Sequence, residues 1–271
     1  MSTTLKERAY AFIRDQLLVG AIPVGDRVSD ADIARQLGIS RTPVREALVQ
    51  LETQGLIEQQ PGLGPRVKAL DRRGLEESFE LRGMLEGSAA ALAAERVTDA
   101  ELAALEDLCG QYEAVVGRLR DAGAAGVRDP LSDQLNILDM AFHLKVIEAA
   151  RNRHLLRVVS DLHLLTRILR RRANLPSVPY LQRLERVCAD HRAIAAALRQ
   201  HDGAAARQCM QQHVEWARDY HLRALDWEER QQTAAGGRPV DVYFPLQVLE
   251  MLRKMETGDA AGQADSEGGA P

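Results

Sequence analysis

Aromatic side chains are scarce: Phe, Trp and Tyr together make 4% of the 271 residues. Strands draw on aromatic and β-branched residues, whereas this chain is rich in Ala, Leu and Arg, so helices are favoured over sheets. Cysteine is scarce too. Cys109, Cys188 and Cys209 are an odd, widely spaced set with no CxxC pair. That excludes a disulfide framework and points to a reducing compartment. No run approaches about 18 uninterrupted apolar residues, so no membrane-spanning helix is expected. The opening "MSTTLKERAYAFIRDQLL" carries charges throughout and does not read as a signal peptide, which makes the cytoplasm the expected setting. Positive charge is not in excess: the formal net charge is −4, and residues 1–70 hold nine Lys and Arg against eight Asp and Glu. Nucleic-acid binding therefore needs a local patch. No fixed-period repeat is present, which excludes a solenoid.

What is there divides into a short mixed segment, a long helical one and a tail. Residues 4–20 read as a helix whose Ala9, Phe12, Ile13 and Leu17 share a buried face. Ser29, three before Asp32, signals the cap of a second helix that ends at Gly38. A third helix follows in "SRTPVREALVQLETQG", with Val44, Ala47, Leu48 and Leu51 as its buried stripe. Pro43 suits the first helical position, which makes Thr42 the natural N-cap. "LIEQQ" and "RVKAL" then read as two strands around the turn "PGLGP". From Asp71 about six helices are expected, over 72–95, 99–120, 130–150, 153–174, 178–200 and 203–227, separated by "VTDAE", "DAGAAGVRDP", "ARNRH", "NLPSVP" and "QHDG". In the tail, "TAAGGRP" reads as a linker, "VYFPLQVLEMLRKME" as a strand and a short helix, and the last fifteen residues as disordered. The domains so drawn are 1–70, 71–228 and 229–271. The fold class is mainly α: a winged helix-turn-helix followed by an all-α bundle.

Hydroxyls and arginines at the start of a third helix are how helix-turn-helix domains meet a major groove. Ser40 and Thr42 suit phosphate oxygens, and Arg41 and Arg45 carry forks that match guanine. Gly62 and Gly64 at the wing tip permit close backbone approach, with Arg66 beside them. A merely solvated helix face is the bland alternative for Arg41 and Arg45. The order of helices, stripe and Gly-rich hairpin favours DNA.

The helical segment raises a second question in "DMAFH". Asp139 and His143 lie one turn apart on one helix face. That geometry suits a metal, a general acid/base pair or a plain hydrogen bond. His191 and His213 fall on the buried stripes of two further helices, beside Val187, Ile194 and Leu198 and beside Cys209, Met210 and Trp216. Such a nitrogen and oxygen set suits a divalent first-row metal, zinc, nickel or iron(II), with Asp139 either a ligand or the residue that orients one. A buried hydrogen-bond network is the other reading. An enzyme built on this bundle is disfavoured: there is no Glu-x-x-His of the di-iron type, and no second acid stands beside Asp139. "RILRRRAN" reads as a basic helix end answering the helix dipole.

"LGISRTPVREALVQLETQGLIEQQPGLG" resembles the winged-helix signature of GntR-type transcriptional regulators, over most of residues 4–68. The resemblance implies that Ser40, Arg41, Thr42 and Arg45 contact operator bases and phosphates, with Gly62 at the wing tip. Pro61 stands where some relatives have a basic wing residue. "LRGMLEGSAAALAAERVT", "DMAFHLKVIEAARNRHLL" and "DHRAIAAALRQHDGAAARQCMQQHV" are similar to the helical ligand-binding (FCD-type) domain of the FadR-like branch, over about 75–225. That implies a metal held by Asp139, His143, His191 and His213, zinc or nickel foremost. It also implies an effector-facing Arg82 that clamps a small organic acid; the alternative for Arg82 is a salt bridge to Glu86. The implied protein is a homodimeric, ligand-responsive repressor on palindromic double-stranded operator DNA, away from any membrane.

Overall fold

Helices α1 (Leu5–Leu18), α2 (Asp30–Leu37) and α3 (Arg41–Thr53) pack around one apolar centre, and strands β1 (Ile57–Gln60) and β2 (Gly64–Val67) follow as an antiparallel hairpin. Ala9, Ile13 and Leu17 of α1 are buried against Val44, Ala47, Leu48 and Leu51 of α3, the stripes the spacing predicts. The Ser29 hydroxyl accepts the Asp32 amide at 3.2 Å to cap α2. Gly38 ends α2 at φ 65°, a left-handed conformation that favours glycine. The computed structural model describes residues 4–18, 21–68, 71–122, 130–169 and 180–235.

The start of α3 corrects one expectation. Ser40, not Thr42, is the N-cap, with extended backbone at φ −70° and ψ 164°, and the helix opens at Arg41. Pro43 therefore sits third in the helix. It still fits, because the first amides of a helix have no acceptor inside it. An N-cap side chain accepts from the second or third amide. Here the third residue has no amide hydrogen, and Ser40 makes no capping bond. Its exposed hydroxyl stays available at the helix mouth.

The hairpin is also shifted. β2 starts at Gly64, two residues before the expected Arg66, and its register runs from Ile57 opposite Val67 to Gln60 opposite Gly64. The loop after α1 pairs with the other edge of β2 through Arg27 and Arg66. Val28 donates to the Pro65 carbonyl at 2.8 Å. These bonds draw Gly64 and Pro65 into the strand.

Among the described residues six helices form the second unit, in line with the expected number: α4 (Arg72–Arg96), α5 (Asp99–Asp121), α6 (Pro130–Ala149), α7 (Arg153–Leu169), α8 (Tyr180–Arg199) and α9 (Gly203–Ala235). α4 lies at the centre, against α9, α6, α7 and α8. Gly83, Gly87, Ala90 and Ala94 lower its surface where α9 approaches. A Cβ on Gly87 would fall 2.6 Å from Gln211 Cγ. Thr98 and Glu101 form a capping box at the start of α5. α9 runs to Ala235 rather than ending at 227, so "TAA" of the expected linker is helical. Glu228 to Ala235 contains no Gly or Pro to break a helix. The expected breaks "DAGAAGVRDP" and "NLPSVP", most of "RILRRRAN" and the strand and helix of the tail lie wholly or largely outside the described residues.

The two units share a core. Met140 and Leu144 of α6 and Leu164 of α7 are buried among the apolar residues of α1, α2 and α3. Gln54, just after α3, donates to Asp161 Oδ1 at 3.2 Å and accepts from the Tyr10 hydroxyl at 3.0 Å. No helix among the described residues is long and apolar enough to cross a membrane.

Candidate functional site

α6, α8 and α9 bring Asp139, His143, His191 and His213 together. One ligand atom from each lies within 4.8 Å of all the others. The three imidazoles are buried, while the Asp139 side chain is 28% exposed and forms the open side. Nε2 of His143 is 3.3 Å from Nε2 of His213 and 3.9 Å from Asp139 Oδ1. Nε2 of His191 is 3.6 Å from the same oxygen. Phe142, the neighbour of His143, stacks on the His191 ring at 4.0 Å and fixes its plane.

Carboxylates stand behind two of these rings. Nδ1 of His143 donates to Glu86 Oε2 at 2.6 Å, and Nδ1 of His213 donates to Asp190 Oδ2 at 3.2 Å. A neutral imidazole has one N–H, so each Nε2 then carries a lone pair. Two lone pairs facing each other at 3.3 Å repel unless a proton or a metal ion lies between them. Among the described residues the buried Nε2 of His191 has no hydrogen-bond partner. This donor set, with carboxylates behind its histidines, fits a divalent ion.

Glu86 is the residue the sequence left least visible. It is fully buried on α4, where Arg82 Nε donates to its Oε1 at 2.7 Å and His163 Nε2 lies 3.0 Å from that oxygen. Burial opposes its charge, but Arg82 and the hydrogen bond from His143 outweigh it and hold the carboxyl well below the usual range. His163, for which the sequence offered no partner, is pushed down to about 3, by burial first and Arg82 second, and is neutral. Glu86, His143 and His163 also satisfy the distances of a metal group. The guanidinium bonded to Glu86 argues against a second cation there. The salt bridge considered for Arg82 is therefore formed, with its guanidinium 5.0 Å from the Phe79 ring centroid. Among the described residues neither terminal nitrogen of Arg82 has a hydrogen-bond partner, so both remain donors.

At the other end, Ser40, Arg41, Thr42 and Arg45 are all exposed at the mouth of α3. Asp30, the first residue of α2, binds both arginines: Arg41 through Nε at 3.2 Å and Nη2 at 2.8 Å, Arg45 through Nε at 2.7 Å. Burial raises the Asp30 carboxyl, but the bonds from Arg45 and Arg41 outweigh it and lower it overall. Gly62 lies exposed at the hairpin tip with φ +76°. Arg66 is placed differently from the other expected DNA residues. It is half-buried, and its Nη1 donates to the Gly25 carbonyl at 2.8 Å, because the loop after α1 lies along β2.

Comparison with known proteins agrees with both units. Residues 5–67 match the family described as "Bacterial regulatory proteins, gntR family", and residues 77–215 match the "FCD domain". The chain is 31% identical over 214 residues to the "Probable D-xylose utilization operon transcriptional repressor" of Paenarthrobacter nicotinovorans, across 78% of this chain and 86% of that protein. It is 28% identical over 214 residues to the HTH-type transcriptional regulator LutR of Bacillus subtilis, across 72% and 91%. Among solved structures, E. coli McbR/YncC superposes with a TM-score of 0.64 at 23% identity, over 84% of this chain and all of that one, a likeness of fold. The relatives are transcriptional regulators rather than enzymes, and this chain belongs to the GntR family of DNA-binding transcriptional regulators, in the form that joins a winged helix-turn-helix to an FCD domain.

Proposed function

We propose that this protein is a cytoplasmic, homodimeric repressor whose DNA affinity is set by a small organic acid bound at a metal site in the FCD domain. Residues 1–70 bind DNA, residues from 71 to the end of α9 bind effector and dimerise, and the remainder is an extension. Asp139, His143, His191 and His213 hold a divalent ion, zinc or nickel foremost. When bound, the ion supplies fixed positive charge and coordination positions that a carboxylate oxygen can occupy. The terminal nitrogens of Arg82 bind the acid's other oxygens as a planar fork.

The observation that carries this reading is the pair of Nε2 atoms 3.3 Å apart, each with a carboxylate on its Nδ1. With both rings neutral, the carboxylates take the one N–H of each, so a hydrogen between the two Nε2 atoms requires one ring to be an imidazolium, whereas a metal ion satisfies both lone pairs at once. What supports control over DNA is the position of α6. One face carries Asp139 and His143, while Met140 and Leu144 complete the winged-helix core. A shift of α6 on effector binding thus moves residues packed under the DNA-binding unit. Such coupling is worth about 1–3 kcal/mol and is reciprocal.

On DNA, the two winged helices of a dimer meet the half-sites of an inverted repeat. Ser40, Arg41, Thr42 and Arg45 enter the groove, Gly62 brings the wing close, and Arg66 anchors the wing to the loop at Gly25. Affinity falls steeply with salt because phosphates carry much of it. The test is metal stoichiometry by mass spectrometry and calorimetry. His191→Ala with His213→Ala is expected to lose the ion, and Arg45→Ala to lose specific DNA binding while keeping it. One ion per chain retained in the double variant would move the site elsewhere.

A further inference from the structure

We propose that Asp30 sets operator specificity, by holding Arg41 and Arg45 in unequal ways. The inference is independent of the metal site. Asp30 opens α2, and its side chain, 19% exposed, faces the first two turns of α3. Arg45 meets it through Nε alone, at 2.7 Å. Both terminal nitrogens of Arg45 therefore remain as a parallel pair of donors on a side chain that is 64% exposed. That is the fork that pairs with O6 and N7 of guanine. Arg41 meets Asp30 through Nε and Nη2 and keeps only Nη1 for other partners. One terminal nitrogen left outside the ion pair suits a phosphate oxygen better than the two paired acceptors of a guanine. One carboxylate thus assigns base reading to Arg45 and positioning to Arg41.

The same carboxylate also acts against wrong sequences. It places a negative charge between two arginines at the mouth of α3. Residues 1–70 carry a net charge of only +1, so sequence-independent attraction is already weak. Specificity is a difference of affinities, and an acid at this position lowers the competing one. The pairs are not needed to hold α2 on α3. Ile33 and Ala34 of α2 are buried in the shared core with Val44 and Leu48 of α3, and exposed ion pairs contribute little to stability.

The test uses the full-length protein and its Asp30→Ala, Asp30→Asn and Asp30→Glu variants. A randomised duplex pool is enriched with the wild type. Affinities are then measured for the enriched duplex and for a random-sequence duplex across a range of salt. Asp30→Ala and Asp30→Asn are expected to lower affinity for the enriched duplex by roughly tenfold or more, the value of one lost bidentate pair. They are expected to raise affinity for the random duplex and to steepen the salt dependence by about one phosphate contact. Asp30→Glu restores part of the discrimination, and melting temperatures stay near that of the wild type. The proposal is overturned if both affinities fall together with the melting temperature, which is a structural role. It is equally overturned if neither affinity changes, or if the wild type enriches no sequence.

Discussion

Glu86 on α4 and His143 on α6 meet at 2.6 Å, Oε2 to Nδ1, although 57 residues separate them in the chain. The bond turns the free lone pair of His143 toward His213 and Asp139. Glu86→Gln keeps the shape and removes the charge that sets this tautomer. Zinc affinity is expected to fall about 10- to 100-fold, the usual cost of losing such a partner. Stability falls as well, because Arg82 is left in the interior without its carboxylate. Competition with a chelating dye measures the first effect and denaturant unfolding the second. Wild-type zinc affinity in the variant would remove Glu86 from the site.

Leu144 is one residue from a ligand of the metal group, yet its side chain lies in the winged-helix core. Leu144→Ala is expected to destabilise the protein by about 2–5 kcal/mol, as buried leucines do. It is also expected to weaken the link between the units. In the wild type, zinc is expected to raise the melting of both units as one transition. In the variant a lower transition separates and no longer responds to zinc. Scanning calorimetry with and without chelator decides it, and a single zinc-responsive transition in the variant would place the coupling elsewhere.

Much of the winged helix was legible in sequence, because its elements are local. Val44, Ala47, Leu48 and Leu51 recur at helical spacing, and Ser29 caps α2 three residues before Asp32. The N-cap of α3 was misplaced by two residues because Pro43 fits any of the first helical positions, so it fixes the neighbourhood and not the register. His191 and His213 stood out because a histidine on an apolar stripe is unusual. Asp190, His163 and Asp30 gave no such signal, and Glu86 showed only as a partner for Arg82. Each partners a residue on another helix, 15 or more positions away in the bonds from Glu86 to His143, Asp190 to His213 and Asp30 to Arg45. Nothing local to Arg66, placed by the sequence beside the wing tip, shows that its side chain binds back to the loop at Gly25.

Glu101 offers a test of the fold by pH. Its carboxylate accepts the Thr98 amide and takes a two-pronged bond from Arg151, at 2.6 and 2.9 Å, joining the start of α5 to the end of α6. Burial opposes the charge, but Arg151 and Thr98 outweigh it and lower the carboxyl. The stability this contributes is present above the ordinary carboxylate range near pH ~4.3 and is lost as pH falls through the lower folded value. Glu101→Gln keeps the cap and loses the charge. A melting temperature lowered by about 2–4 °C at neutral pH is expected, in proportion to about 1 kcal/mol. The gap should begin to narrow below about pH 4 and close once the pH has fallen past the lowered folded value. A gap that persists in acid would mean the contact matters by shape alone.

The most direct test of the account is a thermal-shift screen of the full-length protein against small mono-, di- and tricarboxylates, each with zinc loaded and after chelation. The account predicts that chelation lowers the melting temperature. It also predicts that at least one acid raises it by several degrees, in the loaded protein only; about 100-fold saturation stabilises by ~2.7 kcal/mol. If chelation leaves the melting temperature unchanged and no acid shifts it, Asp139, His143, His191 and His213 are a buried polar network, and the account is contradicted.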